Sequence, residues 1–381
     1  MSQSLRVAMI VEHYLPSIGG MEHYTANLAQ RLQAAGCSMT ILTTQFFGQP
    51  AYECQAGLSI YRLPFRGARL WRSPIFMLTA LHRLMQLQPD IIHAHQLTLA
   101  TNTALLAKRL LHKPIVATTH SSGYALGDVA RINRSRFHRQ RIQALRQNVD
   151  LFIASAHVIE TELDSIGIFS AQRTYIPAGI DVQHFKPSSI EVKRRLRHQL
   201  GLADAPTAIF TGRLVTSKRV DQLLRSWPAI QHAVPTAQLV IIGSGPEANH
   251  LQDLVSCGVK MIDAQADVAP YLQAADVFVL PSASEALSIA MLEAMSVGLP
   301  VIVTDVGGLM DAVTSNHNGL LIPPDDQAAL QKTIIELLRD PDRCAQLGQQ
   351  ARQTIVDRFS LERLTERMIE VYQRVNHHHH A

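Results

Sequence analysis

The sequence predicts an α/β protein made of two doubly wound parallel sheets. Three observations carry that prediction. Short apolar runs of strand type alternate with helical patterns along the chain, the signature of repeated β-α units. The alternation breaks off near the middle and then restarts. At 381 residues the chain is also long enough for two domains, each with its own core.

Taken in order, Leu5 to Val11 reads as a strand, Met21 to Ala35 as a helix and Met39 to Thr44 as a strand. Ile91-Ile92, Ile115 to Thr118 and Leu151 to Ala154 follow as further strands, with helical sequence between them. Each is an apolar run with little alternation, as expected of parallel strands buried on both faces. A seam lies near Ile176 to Pro187, bracketed by Pro177, Gly179 and Pro187, and a basic helical segment, Val192 to Leu200, follows it. The pattern restarts at Ala208 to Gly212 and continues through Leu239 to Gly243, Val277 to Leu280 and Pro300 to Thr304. A last helix, Leu361 to Val375, comes after the second pattern is complete. The expected domains are therefore 1–180 and 181–357, with 358–376 as a terminal helix.

Apolar residues make up 47% of the chain and charged residues only 17%, a balance that fits a well-packed α/β protein. No basic-then-apolar leader and no apolar run of 18 or more residues is found, so the expectation is a cytoplasmic protein that does not span a membrane. The four cysteines (37, 54, 257 and 344) are scattered, which argues for reduced thiols and against a zinc site. The run His377 to His380 is set aside from both fold and metal arguments. Charge is uneven. Residues 1–190 hold 18 Lys and Arg against 10 Asp and Glu, and residues 191–381 hold 17 against 21. A balance of +8 in the first half against −4 in the second points to an anionic partner for the first half, where an ordinary solvated basic surface is the plainer reading.

The most informative local feature is the pair Glu285 and Glu293, which follows the strand Val277 to Leu280 and the break at Pro281. Leu287 to Met295 reads as a helix, which places Glu285 at the strand-to-helix turn and Glu293 about two turns in. Were the span between them helical, the two would stand about 12 Å apart. That separation suits a ligand with a hydroxyl-rich group at each end and an anion between, held at a helix N-terminus. A nucleotide sugar has this layout, although surface glutamates show the same spacing.

Other motifs surround the pair in a fixed order: Gly19-Gly20-Met21-Glu22, His93-Ala94-His95, Thr118-Thr119-His120, Ile176 to Asp181, Gly212 to Lys218 and Gly243-Ser244-Gly245-Pro246. With this ordered set the chain resembles glycosyltransferase family 4, retaining enzymes of the GT-B fold, from about Arg6 to Tyr372. The resemblance implies a hexosyltransferase that carries a sugar from a nucleotide diphosphate to a hydroxyl acceptor, either lipid-linked or a saccharide. It also implies two Rossmann-like domains facing across a cleft, with the terminal helix crossing back to the first.

Residue by residue, the resemblance implies these roles. Gly19 and Gly20 form part of the floor of the catalytic cleft, where missing side chains let backbone amides approach an anion. Arg213 and Lys218 stabilise the charge that grows on the departing diphosphate. Gly243 lines the nucleotide site. Its G-x-G-x-x-A context also fits a dinucleotide fingerprint, but it follows the second strand after the seam rather than the first of its domain, and Pro246 enters the turn. The base rests near Ile262 to Gln265, and Glu293 accepts the ribose hydroxyls. Glu285 and the amides of Leu287, Ser288 and Ile289 hold the donor sugar. Relatives often read Glu-Gly-Phe-Gly where this chain has Glu285-Ala286-Leu287-Ser288, which leaves the hexose open. His120 lies by the reacting face of the sugar. His93 and His95 share a strand end, and only one of them is expected to face the cleft, His95 being the weaker candidate beside His120.

No metal or other cofactor is expected, because GT-B enzymes need none. Asp340-Pro341-Asp342 has the look of an acidic metal motif but sits at a helix junction and reads as a helix cap. Two segments are both basic and apolar: Tyr61 to Met85, with Arg62, Arg66, Arg69 and Arg72, and Arg131 to Arg146. Both suit peripheral contact with an anionic membrane. Nucleic acid is a second anionic candidate, but no nucleic-acid motif accompanies them. Two other functions stay open at this point: a nucleotide-sugar epimerase of the same fold, and a nucleotide-sugar-binding protein without turnover.

Overall fold

The structure, a computed structural model, describes residues 4–16, 19–46, 48–65, 69–122 and 127–380, apart from the side chains of Arg69, Leu70 and His380. It divides into two units. The first contains β1 (Arg6–Ile10), α1 (Gly20–Ala34), β2 (Ser38–Gln45), β3 (Tyr52–Gln55), β4 (Leu58–Pro64), α2 (Arg69–Leu87), β5 (Ile91–His95), α3 (Leu99–Leu111), β6 (Ile115–Thr119), α4 (Asp128–Asn133), α5 (His138–Asn148), β7 (Leu151–Ala154), α6 (His157–Ser165) and β8 (Arg173–Tyr175). Its sheet runs β3-β4-β2-β1-β5-β6-β7-β8. The pairings are parallel except β3 with β4, which is an antiparallel hairpin at the edge. From β1 the chain works outward on one side, then returns to lay β5 to β8 on the other.

The second unit holds α7 (Ile190–Gln199), β9 (Thr207–Thr211), α8 (Val220–Ala233), β10 (Gln238–Ile242), α9 (Ala248–Gln252), β11 (Val259–Ile262), α10 (Ala269–Ala274), β12 (Val277–Leu280), α11 (Ile289–Ser296), β13 (Val301–Thr304), β14 (Leu320–Ile322), α12 (Gln327–Arg339) and α13 (Pro341–Arg358). Its all-parallel sheet runs β11-β10-β9-β12-β13-β14. Winding therefore reverses between β9 and β12, and the crevice beyond their C-terminal ends is where open α/β sheets take ligands. The last helix, α14 (Leu361–His380), belongs to the first unit. The two parallel-sheet units agree with the predicted fold class.

The strands read so clearly in sequence because they are covered on both faces. Every residue of β5, β6, β7, β9, β12 and β13 is buried. Helix starts follow local chemistry. Ser189, Ser288, Asp326 and Asp340 each accept a backbone N–H in the first turn of α7, α11, α12 and α13. Asp340 is thus a helix cap, as its sequence context indicated, with Oδ1 accepting from the Arg343 amide at 2.9 Å. α14 buries Leu364, Met368, Tyr372 and Val375, one stripe at helical spacing.

The chain leaves and re-enters the first unit at adjacent points. A Cβ on Gly179 would stand 2.9 Å from the Leu361 Cα, so a side chain there would meet backbone. The Ile180 amide donates to the Phe359 carbonyl at 2.8 Å. Arg352 then fastens the segment that follows, donating to the carbonyls of Val182 (2.9 Å), Phe185 (2.8 Å) and Ser296 (2.8 Å).

Candidate functional site

Within the second unit, the loops after β9 and β12 are stitched together by backbone. The Ala283 amide donates to the Ser217 carbonyl at 2.8 Å. That bond sets the register for the side chains beside it, where Lys218 Nζ donates to Glu285 Oε1. Ser282 Oγ donates to the same oxygen at 2.8 Å. The pair is largely enclosed, with the Lys218 side chain 20% exposed and that of Glu285 10%. Lys218 closes a short 3-10 turn, and Arg219 follows in the left-handed region at φ 52°, swinging the chain into α8. Arg213, on the same loop, is exposed, and its guanidinium makes no hydrogen bond among the described residues.

Glycines explain how the loops approach so closely. A Cβ on Gly307, which has φ 55°, would stand 1.8 Å from the Glu285 carbonyl oxygen. The neighbouring Gly308 amide donates to that same oxygen at 3.3 Å. Glu285 is thus held at its backbone by the loop after β13 and at its carboxylate by Lys218 and Ser282. Cβ atoms on Gly243 and Gly245 would come within 1.9 Å of the Gly212 carbonyl and 2.2 Å of the Leu214 carbonyl. These two glycines let the loop after β10 lie on the loop that carries Arg213. The dinucleotide-like spelling at Gly243 therefore has a packing cause. Gly243 also donates its amide to Ile262 at 3.0 Å, bringing in the Ile262 to Gln265 loop, where Gln265 Nε2 donates to the Asp263 carbonyl at 3.0 Å.

Ser288 is the N-cap of α11, its Oγ accepting from the Met291 amide at 3.3 Å, and Leu287 precedes it. Ile289 opens the helix, so Glu293 lies little more than one turn in, not two. Only about half the span from Glu285 is helical, and the 12 Å estimate for a continuous helix does not describe it. Gly20, counted with this unit, lies against the helix start: a Cβ there would be 3.2 Å from Ile289 Cδ1, with Gly19 just before it. Glu293 keeps part of its surface open, and its carboxylate makes no hydrogen bond among the described residues. Desolvation raises its pKa to about 8, and the charge of Asp267 adds to the rise. Asp267 in turn accepts from His184 Nε2 at 2.9 Å.

In the first unit, His120 follows β6. Its Nε2 is 2.9 Å from His95 Nδ1, the two rings lie within 8° of parallel, and Tyr24 meets His120 edge-on at 5.8 Å. His93 and His95 correct the expectation that they alternate across the strand. Residues two apart on a strand share a face, and their rings stand 4.3 Å apart. His93 is fully enclosed, with Nδ1 2.7 Å from the Tyr372 hydroxyl on α14 and Nε2 2.7 Å from Thr118 Oγ1. Burial keeps all three imidazoles neutral, lowering His93 to about 3, His120 to about 4 and His95 well below the ordinary value.

Sequence reasoning missed Ser282, Gly307, Asp267 and Tyr372. Gly307-Gly308 carried the same signal as Gly19-Gly20, a glycine pair just after an apolar run. Nothing local marks the other three.

The basic segments separate on inspection. Arg62 is buried in β4 and paired with Glu53 at 2.7 Å, while its Nη2 holds the Leu15 carbonyl at 3.1 Å, so it is a structural arginine. Arg66 lies outside the described residues, as does the side chain of Arg69. On α2, Phe76, Ala80 and Leu84 face the core, whereas Trp71, Leu78 and Met85 are 65%, 63% and 50% exposed at seven-residue spacing. α2 carries no Asp or Glu, and neither does α5. No helix among the described residues is long and apolar enough to cross a membrane. Nor do three or more His, Cys, Asp or Glu side chains gather as a metal site among them.

Residues 18–184 match the family described as Glycosyltransferase Family 4, and residues 192–354 match Glycosyl transferases group 1. The chain is 28% identical to a GDP-mannose-dependent monoacylated alpha-(1-6)-phosphatidylinositol monomannoside mannosyltransferase of Corynebacterium glutamicum, over 98% of this chain and 99% of that one. Among solved structures it is similar to the sucrose-phosphate synthase of Thermosynechococcus elongatus, with a TM-score of 0.84 and 25% identity over 97% of this chain and 99% of that one. It also shares the fold of Anabaena HepE, solved in complex with UDP-glucose, at a TM-score of 0.80 and 19% identity over 97% and 100% of the two chains.

Proposed function

The chain belongs to glycosyltransferase family 4, whose members are GT-B glycosyltransferases, and from that premise we propose that it moves a hexosyl group, with retention, from a nucleotide diphosphate sugar to a hydroxyl acceptor. The observation that carries the proposal is the Lys218–Glu285 pair at the switch point of the second sheet, with Arg213 unengaged beside it on the same loop. A bound donor sets its diphosphate against Arg213 and Lys218 and its hexose hydroxyls against Glu285 and the start of α11. As the anomeric carbon–oxygen bond breaks, charge grows on the diphosphate, and the two cations stabilise it. Arg213 can grip two oxygens while Lys218 acts as a point charge. Ribose hydroxyls fall to Glu293, and the acceptor hydroxyl attacks on the face that the diphosphate leaves, its proton passing to the departing diphosphate oxygen. These cations supply the charge that a divalent ion supplies elsewhere, so transfer persists in excess chelator.

The acceptor in this proposal is lipid-linked, presented at an anionic membrane on which α2 rests. Support comes from the exposed Trp71, Leu78 and Met85 stripe on a helix without acidic residues, and from the lipid acceptor in the name of the Corynebacterium relative. The deciding experiment incubates the protein with a panel of nucleotide sugars, with and without lipid acceptors, and follows free nucleoside diphosphate and the anomeric configuration of the product. Acceptor-dependent release with the donor's configuration kept is the expected result. Conversion of the nucleotide sugar without an acceptor would point to an epimerase. Binding without release would point to a protein that only holds the ligand.

A further inference from the structure

We infer that His95 is a positioning residue for His120, fixing its ring plane and its tautomer so that Nδ1, the ring nitrogen that does not face His95, carries the proton. The inference rests on the proposed placement of His120 at the donor sugar, but the tautomer can be read without turnover.

His95 is 2% exposed, and its Nε2 is enclosed with no hydrogen-bond partner. One ring nitrogen of a neutral imidazole bears hydrogen and the other does not. A buried N–H without an acceptor is among the rarest groups in folded proteins, whereas an under-used acceptor is better tolerated. The hydrogen of His95 therefore sits on Nδ1 and points along the 2.9 Å contact to His120 Nε2. That nitrogen must then accept, which leaves the hydrogen of His120 on Nδ1. His120 is partly exposed, and Nδ1 is its ring nitrogen without a described partner. The ring consequently presents a donor, not a lone pair, to whatever occupies the site.

His95 can hold this position because it is itself wedged. His93 packs 4.3 Å from its ring on the same strand face and is pinned at both nitrogens, by Tyr372 and Thr118. Tyr372 lies on α14, so the terminal helix anchors the inner end of a chain of three imidazoles whose outer end is His120. A donor at Nδ1 suits a sugar hydroxyl oxygen, or an oxygen that gains negative charge as the glycosidic bond breaks. Neutral rings also suit the role, since a protonated His95 could not sit against a protonated His120.

The test uses 15N-labelled histidine and three proteins: the wild type, His95→Leu and His95→Asn. Leu fills the space without a donor. Asn keeps an amide nitrogen near the place of Nδ1, and donating it leaves only a carbonyl oxygen orphaned. In the wild type, the His120 nitrogen shifts should report the Nδ1–H form. His95→Leu should move them toward the Nε2–H form and lower kcat by about 10- to 100-fold with little change in KM, the scale for a slightly misplaced catalytic group. His95→Asn should keep the Nδ1–H form and most of kcat. An Nε2–H His120 in the wild type would overturn the inference, as would an unchanged tautomer in His95→Leu. If the Leu variant does not fold, the wild-type shifts and the Asn variant decide by the same criteria. Tautomers as expected but with kcat unaltered throughout would leave the positioning intact and count against His120 at the donor sugar.

Discussion

Lys218 and Glu285 meet across 67 residues of chain, and without a donor each is the other's partner. Removing Lys218 or Arg213 should therefore act in different ways. Arg213→Ala takes away an exposed cation and leaves folding unchanged, while transfer falls by the equivalent of about 3 kcal/mol, the scale for one charge-stabilising donor. Lys218→Ala should show the same loss of kcat/KM together with a small drop in Tm, because the largely enclosed carboxylate of Glu285 loses its cation. Near-normal turnover in either variant would sink the leaving-group role. Glu285→Ala should spare affinity for the free nucleoside diphosphate, and Glu293→Ala should weaken it.

Glu293 adds a proton to that binding event. With its pKa raised to about 8, the carboxyl is mostly protonated at pH 7 in the free protein. Ribose hydroxyls that donate to it favour the ionised form, so nucleotide binding should release a proton and tighten as pH rises from 6 toward 8. Calorimetry in two buffers of different ionisation enthalpy measures the release. An identical heat in both, or affinity that weakens with pH, would remove Glu293 from the ribose.

At the scale of elements, α2 faces two ways. Its core face holds it on the sheet, and its outer stripe has no described protein residue to cover it. Trp71→Ser, Leu78→Ser and Met85→Ser together should leave stability within about 1 kcal/mol, since exposed side chains contribute little to it. Co-sedimentation with vesicles of anionic lipid should fall sharply, and that of the starting protein should weaken at high salt. No sedimentation of the starting protein even at low salt would leave the stripe as ordinary surface. The loop after β13 makes a contrasting prediction. Gly307→Ala adds a Cβ where the Glu285 carbonyl stands and at a φ that side chains disfavour, so urea unfolding should show a loss of at least about 2 kcal/mol, with transfer falling alongside. The buried strands were legible because a parallel strand under two helix layers spells an apolar run. The edges were not: β3, β8 and β11 are half-buried or exposed along most of their length and carry no such run, and the apolar run of β14 is only three residues long. His93 and His95 were legible and misread, since strand periodicity alone puts both on one face. The Lys218–Glu285 contact was not readable at all, because it depends on which strands become neighbours.

At the scale of the molecule, the two units respond to pH with opposite signs. Three histidines in the first unit have depressed pKa values, so their contribution is complete above the unfolded value of about 6.5 and is lost as pH falls, through about 4 for His120 and about 3 for His93, with His95 also well below the ordinary value. Asp128, raised to about 6, works against them, but it is one group against three. In the second unit Glu293 is raised, so stability is greatest below about 4.5 and declines as pH rises to about 8. Calorimetric scans at pH 5 and pH 8 should therefore shift the two units' transitions in opposite directions, with Glu293→Gln flattening that of the second. Transitions that move together would contradict the assignment. The reversal of winding in each sheet was legible only as two runs of β-α units. The strand order that makes β9 and β12 neighbours emerges from packing.

α14 completes the first unit from the far end of the sequence, and this sets an order of events on the ribosome. Domains generally fold as they emerge, the N-terminal one first. Here the first 179 residues leave the exit tunnel with the face that receives Leu364, Met368 and Tyr372 still bare, while Ile180–Ser360 forms an unbroken stretch that can finish before them. The unit that begins first is therefore sealed last, when Tyr372 reaches His93. Arrested nascent chains in which Ser360 has left the tunnel and Tyr372 has not should resist protease across 180–360 and be cut within 1–179, and protection of the early segment should appear only once the final helix is out.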